Sequence, residues 1–267
     1  MTMPVYFISH GGGPWPYMPE AASANAALAA ALQDIPRQLG RRPKAMLMVS
    51  AHWETDGVFT VMANPSPSML YDYYGFPEHT YHIRYPAPGS VGLAQQVADC
   101  LKTAHLPVAL DDERGFDHGA FVPAFVMYPD ADIPMVQLSI QAGYEPQAHL
   151  ALGRALAPLR DDDILILGSG LSYHNLRRMG QAGALPSAQF DAWLQQVVVD
   201  GPVDQRAGQL QKWAAAPSAR LAHPREDHLI PLMVAVGAAE SETATCVYHE
   251  TGAFGGITAS SFRFGSA

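Results

Sequence analysis

The chain has 267 residues, 48% of them hydrophobic and 15% charged, which is enough apolar material to bury a substantial core and excludes intrinsic disorder or a small stapled fold. With 16 Lys and Arg against 25 Asp and Glu, the formal net charge is -9; no positive field is present to hold a phosphate backbone, which argues against a nucleic-acid partner. Cys100 and Cys246 lie outside any CxxC pair and make no disulfide framework, as expected in a reducing cytoplasm.

In chain order, Pro4 to Ser9 is a short apolar run that stops at His10-Gly11-Gly12-Gly13-Pro14 and reads as a buried strand emptying into a glycine loop. The start MTMPVYFISHGGG has neither the basic opening nor the long apolar stretch of a signal peptide, and no later run approaches the roughly 20 apolar residues of a membrane span. A soluble, unprocessed protein with no membrane partner is expected. Ala21 to Leu39 has helical composition, with Pro36 expected to break or kink it. Lys44 to Ala51 predicts a second buried strand, again followed by a histidine, His52. Val58 to Ala63 predicts a strand, and Asn64 to Gly89 an ordered, aromatic-rich loop with a short strand near His82 to Tyr85.

Farther on, Ser90 to Ala104 has the period of an amphipathic helix, Pro107 to Leu110 suits a short strand, and Phe116-Asp117-His118-Gly119 opens a helical segment reaching Tyr128. Strand Met135 to Ile140, helix Gln147 to Leu159 and strand Asp163 to Gly168 alternate, the last running into Gly168-Ser169-Gly170 and then His174. Helices over Ser187 to Val199, Val203 to Ala215 and His228 to Ala238 precede two closing strands, Thr245 to Glu250 and Ile257 to Phe264. The alternation predicts an α/β fold: a single domain over residues 1–267, with a central mixed sheet flanked by helices. Ligands bind such sheets at the carboxyl ends of the strands.

Of the 11 histidines, His10, His52, His174 and His228 sit just beyond apolar strands or at the mouth of a helix, and His118 lies in a Gly-flanked loop. On this topology such loops share one edge of the sheet, where distant residues can converge. Imidazole nitrogens at about 2.0–2.1 Å are good ligands for Zn2+ or Fe(II), and three protein ligands with open positions make a catalytic site. Each histidine alone has the plainer reading of a hydrogen-bonded structural residue. His105 and His149 are assigned to solvated surface, while His82 and His223 stay undecided. A nucleophilic triad is disfavoured, because no Ser occupies a G-x-S-x-G elbow and neither Cys lies in a loop of this kind.

Six blocks can now be read together: FISHGGGP at 7–14, SAHWET at 50–55, YDYYGFP at 71–77 with YPAPG at 85–89, DHGAFVP at 117–123, GSGLSYHNL at 168–176 and HPREDHLIPL at 223–232. In this order, and over nearly the whole chain, they resemble the class III extradiol ring-cleavage dioxygenases of the LigB-like superfamily, specifically the 4,5-DOPA dioxygenase extradiol subgroup. The resemblance implies the LigB-like fold and a non-haem Fe(II) enzyme that chelates both oxygens of a catechol, binds O2 beside it and inserts both oxygen atoms on opening the ring.

Carried over by position, His10, His52 and His228 are the implied metal ligands. His228 stands where another branch of the superfamily has a glutamate, and the neighbouring Glu226 and Asp227 keep a carboxylate ligand open. His174 matches the acid-base histidine and also a fourth ligand; His118 matches a second active-site histidine that donates to oxygen or substrate, or else fixes its loop. Trp15, Trp53, Tyr71, Tyr73, Tyr74 and Phe76 either wall a flat ring or are ordinary core. Arg84, Arg114 and Arg225 are candidates to hold a substrate carboxylate. Two other function classes fit the same histidines: a zinc-dependent hydrolase, since Zn2+ can occupy such sites, and a non-catalytic binding module of the Memo type, since a fold does not settle a function.

Overall fold

A computed structural model describes residues 2–266. Eight strands form one mixed sheet: β1 (Val5–Ser9), β2 (Ala45–Thr55), β3 (Phe59–Met62), β4 (Val108–Asp111), β5 (Met135–Gln141), β6 (Ile164–Gly170), β7 (Ala244–Ala253) and β8 (Ile257–Phe264), in the spatial order β4-β3-β5-β2-β6-β1-β8-β7. The four central strands β5, β2, β6 and β1 are mutually parallel. β1, β5 and β6 are buried almost end to end because both faces are covered. Beside them β3 and β8 run antiparallel, so the sheet is mixed as expected.

The helices are α1 (Pro19–Ala24), α2 (Ala26–Leu39), α3 (Val91–Thr103), α4 (His118–Met127), α5 (Pro146–Leu156), α6 (Ala184–Gln195), α7 (Val203–Leu210), α8 (Ala219–Ala222) and α9 (Ile230–Ala238). Side-chain alternation along β6 shows how the layers are stacked. Ser169 donates to the Gly119 carbonyl of α4 at 2.5 Å, whereas Cβ atoms added at Gly168 and Gly170 would run into the carbonyl oxygens of Pro231 and His228. Successive residues of a strand face opposite sides, so α4 and α9 cover opposite faces. The glycines let the chain leading into α9 lie directly on β6. Both helices are buried throughout almost their whole length, as expected of elements packed over the centre of a parallel sheet.

Three expectations need correction. The helix predicted over Ala21 to Leu39 breaks at Asn25 (φ -105°, ψ 23°), whose side-chain amide donates to the Ala21 carbonyl, whereas Pro36 lies inside α2 without ending it. No strand forms near His82 to Tyr85 among the described residues. Instead Glu78–His82 is a 3-10 turn, and the loop is ordered by side chains: Tyr71 donates to the Ile83 carbonyl at 2.6 Å and Tyr73 to the Thr80 carbonyl at 2.5 Å. His149, assigned to the surface, is fully buried. Its Nδ1 donates to the Glu145 carbonyl at 2.8 Å and its Nε2 accepts from the Gln141 amide at 3.1 Å, so both nitrogens are satisfied without water.

Candidate metal centre

All five histidines singled out from the sequence come together at the carboxyl ends of β1, β2 and β6. His10 follows directly on β1. His52 lies near the end of β2, where a bulge sets Ser50 to Trp53 opposite the single residue Ser139 of β5 and re-aims the imidazole toward the site. His118 is the first residue of α4, whose N-terminus is capped by Asp117 accepting from the Ala120 amide at 3.1 Å. Gly119 lets that helix approach β2, since a Cβ there would sit 2.6 Å from Ser50 Oγ and 2.8 Å from His52 Cδ2. His174 follows β6, and His228 precedes α9.

The nitrogens are arranged with a definite sense. His52 Nε2 is 3.2 Å from His10 Nε2 and 3.2 Å from His228 Nε2. The far side of each ring faces an acceptor. Ser169 Oγ, whose proton goes to Gly119, can only accept from His10 Nδ1 at 3.1 Å. Asp72 Oδ2 lies 3.3 Å from His52 Nδ1, and Asp227 Oδ1 lies 3.1 Å from His228 Nδ1, although off the axis of a good hydrogen bond. Protons assigned from these partners sit on the three Nδ1 atoms, so three Nε2 lone pairs point at one another. A cation between them removes that repulsion, and donors about 2.0–2.1 Å from one ion stand roughly 3.0–3.4 Å apart, which brackets the observed spacing.

The remaining two rings complete the cluster. His118 Nδ1 donates to Asp72 Oδ1 at 2.8 Å, and its ring centroid is 4.0 Å from that of His52. Nitrogens of His10, His52 and His118 all lie within 4.8 Å of one another, as do ligand atoms of His174, Asp227 and His228. The His174 ring stacks on His228 with centroids 3.4 Å apart and faces Asp227 Oδ1 at 3.6 Å. Burial, followed by the neighbouring imidazoles, holds His10 and His52 well below the ordinary histidine range, and burial pushes His228 down to about 4 despite Asp227. These rings are therefore neutral at physiological pH, the form that ligates.

Sequence reasoning missed the two carboxylates behind the cluster. Burial works against the charge of Asp72, but the hydrogen bonds and charge of His118 outweigh it; Asp227 is likewise held well below the carboxylate range against its burial by His174 and His228. Asp72 lies inside the YDYYGFP block, and Asp227 is one of the two carboxylates held open as ligands. Asp227 stands on the Nδ1 side of both its histidines and shares a group of possible ligands with them, while Glu226 is tied to Arg220 at 2.7 Å. A deeper network supports the site: Asp117 accepts from Ser50 at 2.8 Å, from Arg114 at 3.0 Å and from Gln137.

The cluster ends a cavity of about 680 Å³. Of the candidate aromatic wall, Trp15, Tyr73 and Phe76 line it, whereas Tyr71 does not, Tyr74 is 91% exposed and Trp53 carries Arg114 stacked 4.4 Å from its ring centre. None of Arg84, Arg114 and Arg225 reaches the cavity; Arg225 pairs with Glu54 and Tyr144. His223, left undecided, is buried between Phe190 and Trp213 with Nε2 on the Ser172 carbonyl. His82 and His105 are exposed. A second hollow, about 770 Å³ at the C-terminal ends of α5 and α9, holds the ion pairs Arg154 with Glu240 and Arg160 with Glu242 and no histidine.

Residues 4–265 match the family model of the catalytic LigB subunit of aromatic ring-opening dioxygenase. The chain belongs to the LigB family. By kinship it is an extradiol dioxygenase. It is 40% identical to a 4,5-DOPA dioxygenase extradiol of Beta vulgaris over 85% of this chain and 84% of that one. It is 38% identical to an Escherichia coli protein of the same name, over 84% and 83%, and 38% identical to the dioxygenase tasH of Hapsidospora irregularis, over 90% and 79%. A crystal structure of an uncharacterised Escherichia coli K12 protein superposes with a TM-score of 0.78 at 34% identity, covering 98% of this chain and all of the other. No helix among the described residues is long and apolar enough to cross a membrane.

Proposed function

We propose that this chain is a single catalytic domain that uses Fe(II) and O2 to open the ring of a small catechol-type substrate, the class to which the DOPA named in its relatives belongs. The observation that carries this reading is the approach of His52 Nε2 to within 3.2 Å of both His10 Nε2 and His228 Nε2, at the end of a cavity of about 680 Å³. In this reading His10, His52 and His228 hold the ion, and it leaves open positions as a catalytic site requires. Bound there, Fe(II) supplies Lewis acidity toward the diol oxygens and an electron source for O2; the same donor set also accepts Zn2+.

The chain's own groups do the rest. His174, at the cavity end beside Asp227, takes a proton from the incoming diol, and Asp227 stabilises the imidazolium so formed; it returns the proton when the ring has opened. Its nearness to His228 also fits a fourth-ligand role. His118, oriented by Asp72, turns its other nitrogen toward substrate or oxygen. Asp72 and Asp227 fix the ring orientations and raise the basicity of the ligating nitrogens. Trp15, Tyr73 and Phe76 hold the aromatic plane and exclude water. Two free cysteines fit work in a reducing cytoplasm.

Oxygen uptake tests the reading: protein loaded with Fe(II) under anaerobic conditions is mixed with a panel of catechols and exposed to O2. Stoichiometric uptake with a yellow semialdehyde product is expected. Ester or amide turnover by zinc-loaded protein, with catechols untouched by the iron form, gives the hydrolase; binding without turnover gives the module. His174→Ala is expected to keep metal and catechol but lose about 10²- to 10⁴-fold in ring opening, the usual worth of a general acid-base group. Metal loss equal to that of His10→Ala makes His174 primarily a ligand.

A further inference from the structure

Resting on the ring-opening reading, we infer that the catechol this site accepts carries an uncharged, apolar ring substituent rather than a carboxylate or an amino-acid side chain. Apart from its histidines, the cavity lining contains no Lys, Arg, Asp or Glu; Trp15, Met18, Phe76, Leu171, Met179 and Phe254 dominate it. Outside the histidines, its side-chain donors bond to backbone carbonyls, leaving one N–H of Asn25. Trp15 Nε1 donates to the His10 carbonyl at 2.9 Å, the Tyr73 hydroxyl to the Thr80 carbonyl at 2.5 Å, and Asn25 Nδ2 to the Ala21 carbonyl at 2.8 Å.

Charge balance points the same way. Two carboxylates already stand against the cluster, Asp72 Oδ2 at 3.3 Å from His52 Nδ1 and Asp227 Oδ1 at 3.1 Å from His228 Nδ1, so the site is already supplied with negative groups. A further carboxylate buried in this cavity would find no Lys or Arg as counter-charge, which is the expensive kind of burial. The cations nearest the site lie elsewhere. Arg114 is half-buried and bound to Asp117. Arg177, Arg178 and Arg225 line a separate groove of about 620 Å³, which shares only His174 and Leu176 with the cavity.

The test compares 4-propylcatechol with 3-(3,4-dihydroxyphenyl)propionate, congeners of similar length that differ in the terminal carboxylate, and runs 4-methyl-, 4-ethyl- and 4-propylcatechol as a series. Anaerobic calorimetric titration gives Kd with and without metal, and oxygen uptake gives kcat/KM. The propyl congener is expected to bind at least tenfold tighter than the propionate, also without metal, and affinity is expected to rise roughly fourfold at most per methylene. Met179→Arg, at the half-buried rim, is expected to narrow the gap by improving the propionate. Equal or tighter binding of the propionate, lost in an Arg177→Ala, Arg178→Ala double variant, overturns the inference by placing the substituent in the arginine groove. Discriminating binding with no oxygen uptake from any catechol supports the cavity assignment while removing the ring-opening reading, so the two failures are distinct.

Discussion

Two buried histidine environments in this molecule look alike by burial and differ in what the rings face. His149 and His228 are both at most 3% exposed, and burial pushes each down to about 4. His149 has one nitrogen donating and the other accepting within its own helix and the end of β5. At the cluster, by contrast, carboxylates and a serine claim the Nδ1 atoms, so the Nε2 lone pairs are left facing one another. Burial and a depressed pKa therefore do not identify a site. Unsatisfied, convergent donors do.

The contrast can be broken most severely at His52, whose Nε2 is the one shared by both close contacts. His52→Ala is expected to weaken metal binding by more than the roughly 10- to 100-fold typical of an outer-shell change and to abolish oxygen uptake, measured by metal content after dialysis and an oxygen electrode. The stabilisation that added metal gives the wild type, about 2.7 kcal/mol at a hundredfold excess over Kd, should vanish with it in thermal melts. Retention of full metal content would remove His52 from the ligand set.

The converse experiment sits at His149. His149→Leu strands the Gln141 amide, a cost of about 1–3 kcal/mol, equivalent to a Tm fall of roughly 2–6 °C in a chain of this size. Metal content per folded molecule should stay at the wild-type value. Intermediate in kind is Asp72→Asn: fold kept, metal affinity down about 10- to 100-fold, because His52 and His118 lose the carboxylate that fixes their tautomers. Titration calorimetry beside a melting curve separates the two outcomes.

The smallest effect is in pH. The native pKa of His149, about 4, lies below the ordinary 6.5, so between these values the unfolded chain binds a proton that the native chain does not. Its contribution to stability is whole above pH 6.5 and is lost as pH falls toward 4, by at most about 1.4 kcal/mol per pH unit. His223, pushed down to about 3 by burial, extends the loss to lower pH. Denaturant melts from pH 7 to pH 4 are expected to show this slope, and His149→Leu to show less of it. An unchanged slope in the variant would mean other groups govern the acid limb.

Much of the architecture was legible because its causes are local. Apolar runs such as Lys44 to Ala51 can only be buried strands or helices, and glycines with histidines at their ends mark where a parallel sheet opens to its ligand. The loop of Asn64 to Gly89 was harder: its order comes from tyrosine hydroxyls reaching backbone carbonyls, such as Tyr71 to Ile83, and no period records such contacts. Helix α1 likewise ended at Asn25, while the more conspicuous Pro36 stayed inside α2.

From its sequence alone, then, this protein's class of fold, its kinship and the five histidines of its site could be stated, since composition, alternation and motif order are properties of the chain. Which way each imidazole turns, that Asp72 and Asp227 stand behind four of them, that His149 is satisfied inside the core, and that no arginine enters the cavity were decided by tertiary structure. A ring nitrogen's role depends on what lies within about 3 Å of it, and several of those partners come from distant segments, Asp72 lying 46 residues from His118 and His52 176 residues from His228.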